Sequence, residues 1–116
     1  MDPAHILIHL NVGGIYFVTR RSTLVQSQSF FSAAARAHPD CAELFVDRDP
    51  SHFRYVLNWL RGVTALPDDP VVLRELKCEA EYFCMFDLVQ AIQQWRAPEP
   101  PLGRALDAIR AELRQR

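Results

Sequence analysis

Apolar and polar positions alternate loosely from Ile6 to Asn11, and Ile15 to Thr19 is a second β-prone run. Gly13-Gly14 between them accepts positive φ, so the two runs are expected to pair as a hairpin, with Asn11, Gly13 and Gly14 as its structural turn. Ser22 is placed to cap a short helix over Thr23 to Val25. Ser29 is placed to cap another from Phe30 to about Ala37, where alanines favour helix until Pro39 ends it. Leu44 to Asp47 reads as a short third strand. The clearest pattern follows. Asp49 is an N-cap candidate, and Pro50 takes the first helical position, where its missing N–H costs nothing. Phe53, Val56, Leu57 and Leu60 then fall at i, i+3, i+4 and i+7 on one stripe, and Gly62 stops the helix. Asp69-Pro70 repeats this start for a helix with Leu73, Leu76, Ala80 and Phe83 on its apolar face. Asp87 with Gln90 resembles a capping box for a last core helix lined by Leu88, Ile92 and Trp95.

Three prolines mark 97–101 as a linker. Leu102, Leu106, Ile109 and Leu113 give 102–116 an amphipathic helical pattern with heptad spacing, about two heptads long. The order is hairpin, two short helices, strand, three helices. Runs of strands followed by runs of helices predict an α+β fold rather than a doubly wound parallel sheet. The expectation is one domain over 5–96, a small three-stranded sheet packed on a cluster of about five helices.

A chain of 116 residues suffices for one modest core. Its net charge of -1 lacks the basic stripe of a nucleic-acid binder, so no nucleic-acid partner is expected. No apolar run approaches the roughly 20 residues that span a bilayer, so no membrane insertion is expected. Met1 to His5 lack the basic region of a signal peptide, and three cysteines without a CxxC fit a reducing compartment. Together these point to a cytoplasmic protein.

Catalytic signals are missing: there is no GxSxG, no HExxH, and no cysteine with an evident histidine partner, so neither an enzyme nor a cofactor is expected. Asn11-Val12-Gly13-Gly14 lacks the GxGxxG spacing of a phosphate loop. His38 and Cys41 offer two ligands where a structural zinc takes four, so no metal is expected. Cys78 and Cys84 lie near an apolar helix and read as buried small hydrophobes. Asp47-Arg48-Asp49 places two carboxylates around one guanidinium. That set suits bidentate pairing across a subunit boundary; the alternative has Asp49 as a simple cap and Arg48 solvated. Tyr55 and Trp59 flank the main stripe of their helix, either as core or as aromatic anchors for a partner.

Four stretches together resemble the BTB/POZ domains of the potassium-channel tetramerisation type. They are Ile8 to Gly14 with Phe17, Arg21 and Thr23-Leu24; Phe30-Phe31; Phe45 to Pro50 with Phe53 and Val56 to Arg61; and Glu79 to Phe83 with Leu88. The likeness spans residues 6–93. It implies a ring-forming domain whose subunits pack side by side through polar surfaces, as tetramers in channels and often as pentamers in soluble relatives. The Leu60-Arg61 ending looks like the soluble branch, many of whose members are substrate adaptors for cullin-type ubiquitin ligases. The connection from His38 to Glu43 is shorter than in many of those relatives, and there is no Cys-Cys pair like that of zinc-binding channel domains. The resemblance implies a subunit interface at Asp47, Arg48, Asp49, Phe53 and Arg61. It also implies a partner surface at Phe30, Phe31, His38, Tyr55 and Trp59. The partners implied are the chain itself, a cullin scaffold or related BTB proteins. Two alternative functions are the cytosolic tetramerisation domain of a voltage-gated channel and a short regulator that co-assembles with longer relatives.

Overall fold

The computed structural model describes residues 6–26, 28–96 and 109–114. Strands β1 (Leu7–Val12) and β2 (Ile15–Arg20) lead into helices α1 (Arg21–Val25) and α2 (Phe30–Ala37). Strand β3 (Glu43–Val46) follows, then a single 3₁₀ turn at Pro50–His52 and helices α3 (Phe53–Leu60), α4 (Pro70–Tyr82) and α5 (Phe86–Gln94). This is the expected α+β arrangement. Residues 109–114 are helical, with Ile109 and Leu113 exposed. The expected linker at 97–101 and the rest of the expected tail helix lie outside the described residues.

The sheet order is β2-β1-β3, with β1 antiparallel to β2 and parallel to β3. Alternation along β1 buries Ile8, Leu10 and Val12 against the helices, beside Thr19 of β2 and Val46 of β3. The opposite face carries Leu7, Tyr16, Val18 and Phe45, all exposed. One packed and one open face is the usual condition of a sheet built on a hairpin.

Val12 pairs with Ile15, so Gly13 and Gly14 form a two-residue turn, at φ 56° and 100°. Positive φ at both positions matches the right-handed strand twist and favours glycine. The Asn11 side-chain oxygen accepts from the Gly14 N–H at 2.8 Å and closes the turn. The Gly13 N–H donates to the Val46 carbonyl at 2.9 Å. A Cβ at Gly13 would lie 2.5 Å from the Arg48 carbonyl oxygen. The turn therefore rests on the backbone that follows β3.

The centre of the core is aromatic. Phe31 of α2, Phe53 of α3 and Phe83 at the end of α4 pack with ring centroids 4.7 to 5.9 Å apart, and Phe17 of β2 joins Phe53 at 4.8 Å. Burying each such ring stabilises by about 1.5–3 kcal/mol. Leu57, Leu60, Leu76 and Ile92 complete the core from the faces their periodicity predicts, and Met85 joins them from outside any stripe.

Caps explain most helix ends. The Ser29 hydroxyl accepts from the Phe31 and Ser32 N–H groups, and the Ser32 hydroxyl returns a contact to the Ser29 N–H. Asp49 and Asp69 each cap a proline-started turn, as expected. Several details differ from expectation, beginning with β1, which starts and ends one residue late, and β2, which ends one residue late. Helix α1 begins at Arg21 with Arg20 at its cap, so Ser22 lies inside it. Strand β3 begins and ends one residue early. Helix α5 begins at Phe86, which puts Asp87 in its first turn rather than at a capping box.

Cys78 and Cys84 are exposed, not buried as expected. Cys84 sits past the α4 end at φ 57°, with its N–H donating to Glu81 O at 3.1 Å and the Met85 N–H to Ala80 O at 2.9 Å. This is the hydrogen-bond pair of a Schellman stop, whose left-handed position favours glycine. Gly62 occupies the same position after α3, at φ 86°.

Three substitutions test these turns, each read by urea unfolding. Gly13→Ala destabilises the domain by about 2–3 kcal/mol, because φ strain adds to the clash with Arg48. Gly14→Ala costs less, since nothing lies within 4 Å of its Cβ. Cys84→Gly stabilises by about 1 kcal/mol by relieving the left-handed backbone.

Candidate interaction surfaces

The segment leaving β3 presents two carboxylates. Asp47 is exposed and makes no hydrogen bond or ion pair among the described residues. The Asp49 carboxylate accepts from the Ser51 hydroxyl at 2.6 Å and the Ser51 N–H at 2.9 Å. The Ser51 hydroxyl first, then its N–H and the nearby His52, hold the Asp49 carboxyl below its ordinary value of 3.8. A carboxyl lowered in this way contributes its capping stability above that value and loses it as pH falls through the folded-state pKa. The Asp49 carboxylate is therefore charged at neutral pH.

Arg48 does not sit between them as a ligand for a neighbour. Its Nε donates to Glu79 of α4 at 2.8 Å, its Nη2 donates to the same oxygen, and its guanidinium lies 4.2 Å from the Tyr82 ring centroid. The pair is half-buried, with Glu79 only 13% exposed. A charge-assisted contact this shielded fixes the end of β3 against α4. The expected bidentate exchange of Arg48 with Asp47 and Asp49 is thus replaced by a clamp inside the subunit.

Two further interface expectations separate. Arg61, exposed after α3, donates from Nη2 to the Val18 carbonyl at 2.8 Å, on the outer edge of β2. Phe53 is 2% exposed and belongs to the core, so it meets no neighbour. Its position at the start of the apolar stripe carries that signal.

The expected partner surface divides in the same way. Phe31 is fully buried and is a core residue. Phe30 is 37% exposed, packs edge-on against Phe31 and reaches Tyr82 with a centroid distance of 6.4 Å. With Ala33, Cys84 and Phe86 it lines an open apolar groove of about 260 Å³. Phe86, 68% exposed, lies off the α5 stripe of Leu88 and Ile92, which was its only sequence signal. His38 is exposed at the end of α2. Tyr55 and Trp59 are half-buried against the core. The Trp59 ring N–H donates to Asp87 at 2.9 Å and ties α3 to α5, while Arg54 stacks on Tyr55 at 4.9 Å. Both make contacts inside the subunit and keep part of their surface exposed to solvent. No group of three or more His, Cys, Asp or Glu side chains gathers among the described residues to hold a metal.

Comparison with known proteins places this arrangement. A family model described as the BTB/POZ domain matches residues 8–92. The chain is 37% identical over 99 residues to the FH protein interacting protein FIP2 of Arabidopsis thaliana, covering 78% of this chain and 33% of that protein. It is 32% identical over 94 residues to BTB/POZ domain-containing protein KCTD5 of Homo sapiens and of Bos taurus, covering 74% of this chain and 40% of each. The chain thus spans between 33% and 40% of the length of these relatives. No helix among the described residues is long and apolar enough to cross a membrane. With its hairpin, parallel third strand and helical cluster, the chain belongs to the BTB/POZ family, in its potassium-channel-tetramerisation type, a family of protein-interaction domains rather than enzymes.

Proposed function

We propose that this domain assembles with copies of itself into a cytoplasmic ring and serves as a substrate adaptor for a cullin-type ubiquitin ligase. The observation that carries self-assembly is the corner after β3. There Asp47 has no partner among the described residues, and the Arg48–Glu79 clamp and the Asp49 cap hold its backbone in place. A charged group on rigid backbone suits a contact that sets register and excludes wrong partners more than one that adds affinity. The contact is head to tail, and it closes into a ring only where the rotation between copies permits.

The observation that favours a second partner is the groove of Phe30, Ala33, Cys84 and Phe86. Exposed aromatic rings beside a concave apolar surface suit a helix or loop of another protein. The cullin scaffold is the occupant assigned to it. A cytosolic channel domain or a regulator of longer relatives would share the ring but not require this groove.

Light scattering on a sizing column reads absolute mass over a range of concentrations. The expected mass is four or five times 13.3 kDa, and a monomer at every concentration contradicts self-assembly. Calorimetric titration with a purified cullin N-terminal domain tests the adaptor role. Wild-type protein binds, and Phe86→Asp weakens binding at least about tenfold without changing ring mass. Failure of the wild type to bind removes the ligase reading and leaves the ring.

A further inference from the structure

We infer that the open cleft beside the end of β2, lined by Thr19, Arg20, Thr23, Gln26 and Arg61, binds the phosphate group of a small phosphate ester. All of its lining comes from one subunit, so the inference does not rest on self-assembly.

The local chain explains why these groups converge. β2 runs into α1 with no loop between them. Thr19 and Arg20 therefore end the strand beside Thr23 and Gln26, which stand three positions apart on one side of the turn that follows. Arg61 comes from the end of α3 and is held there by its Nη2 hydrogen bond to the Val18 carbonyl at 2.8 Å. Its guanidinium keeps further donors for the cleft. Arg21 is turned elsewhere, donating to the Ala35 carbonyl at 3.0 Å.

The cleft has a volume of about 400 Å³, within the roughly 300–1,000 Å³ of small-molecule sites. Two guanidinium groups line it, and among the described residues no carboxylate does. The Arg20 guanidinium, the Thr19 and Thr23 hydroxyls and the Gln26 amide have no hydrogen-bond or ion-pair partner among the described residues. Thr19 weighs most. It is 5% exposed, and its place opposite Ile8 puts it on the packed side of the sheet. A hydroxyl so buried is normally hydrogen-bonded, and here its missing partner lies on the cleft side.

A phosphate ester matches this donor set better than a carboxylate does. It brings nearly two negative charges at neutral pH and three acceptor oxygens, against one charge and two oxygens for a carboxylate. Two arginine forks then meet two charges, and acceptor capacity is left for the threonine hydroxyls. Leu7 and Val18 border the same cleft and are exposed, which gives the carbon skeleton of the ester an apolar wall.

Calorimetric titration of the full chain with glycerol 3-phosphate, at constant ionic strength, tests the site. Saturable binding of one ester per chain is expected, tighter than that of inorganic phosphate. It is expected to strengthen as pH rises through about 6, where the phosphate loses its second proton. Arg20→Gln and Arg61→Gln each weaken it at least about tenfold, whereas Lys77→Gln, on α4 and outside the cleft, leaves it unchanged. Thr19→Val weakens binding and also raises the urea midpoint of the ligand-free protein, because it removes the partnerless hydroxyl. A threonine with a purely structural role would lower that midpoint. No saturable binding by the wild type, or an Arg20→Gln chain that binds as tightly, overturns the site. A phosphoserine peptide that binds more tightly than glycerol 3-phosphate assigns the cleft to a phosphorylated protein and overturns the small-ester reading. Each of these results leaves self-assembly untouched, since that is read from mass.

Discussion

The mutual burial of Phe31, Phe53 and Phe83 is the contact on which the rest of the molecule depends. Each ring comes from a different helix, and Phe17 brings the hairpin onto the same cluster. Phe53 opens α3 immediately after the Asp49-Pro50 cap, so anchoring its ring in the core also anchors the corner that carries Asp47 and Asp49. Glu79 lies one helical turn before Phe83 on α4 and is thereby held where Arg48 can reach it. The hairpin turn settles on the same backbone, because only glycine at position 13 lets it approach the Arg48 carbonyl. Apolar packing thus decides the position of the charges at this corner.

This arrangement separates two kinds of surface. The segment that leaves β3 is charged at Asp47, Arg48 and Asp49, suited to defining the orientation of identical copies. The end formed by α2, the α4–α5 turn and Phe86 is apolar, suited to a different protein. A ring contact that carries register in charge and a partner groove that carries affinity in aromatic rings do not compete for the same residues. Membership in the BTB/POZ family fits such a division, and the chain's relatives, of which it spans 33% to 40%, have length for further segments around the same domain.

Local chemistry was legible where a residue acts on its own neighbours. Asp-Pro starts, the glycine turn, the Ser29 cap and the stripe from Phe53 to Leu60 all read directly from spacing. What escaped are pairings between elements. Arg48 and Glu79 stand 31 positions apart, and Trp59 and Asp87 stand 28 apart, so no periodicity connects them. Phe53 and Phe31 were expected at surfaces from the resemblance, although the stripe already placed Phe53 inside. Cys84 read as buried because its neighbours are apolar, but the left-handed stop at the end of α4 turns it outward.

The central claim concerns one distance between two copies. An experimentally determined structure of the assembled protein at moderate ionic strength measures it directly. The account predicts the Asp47 carboxylate of one copy within about 4 Å of a cationic side chain of the next, repeated around a closed ring. An assembly in which the Asp47 carboxylate of every copy faces solvent would contradict it.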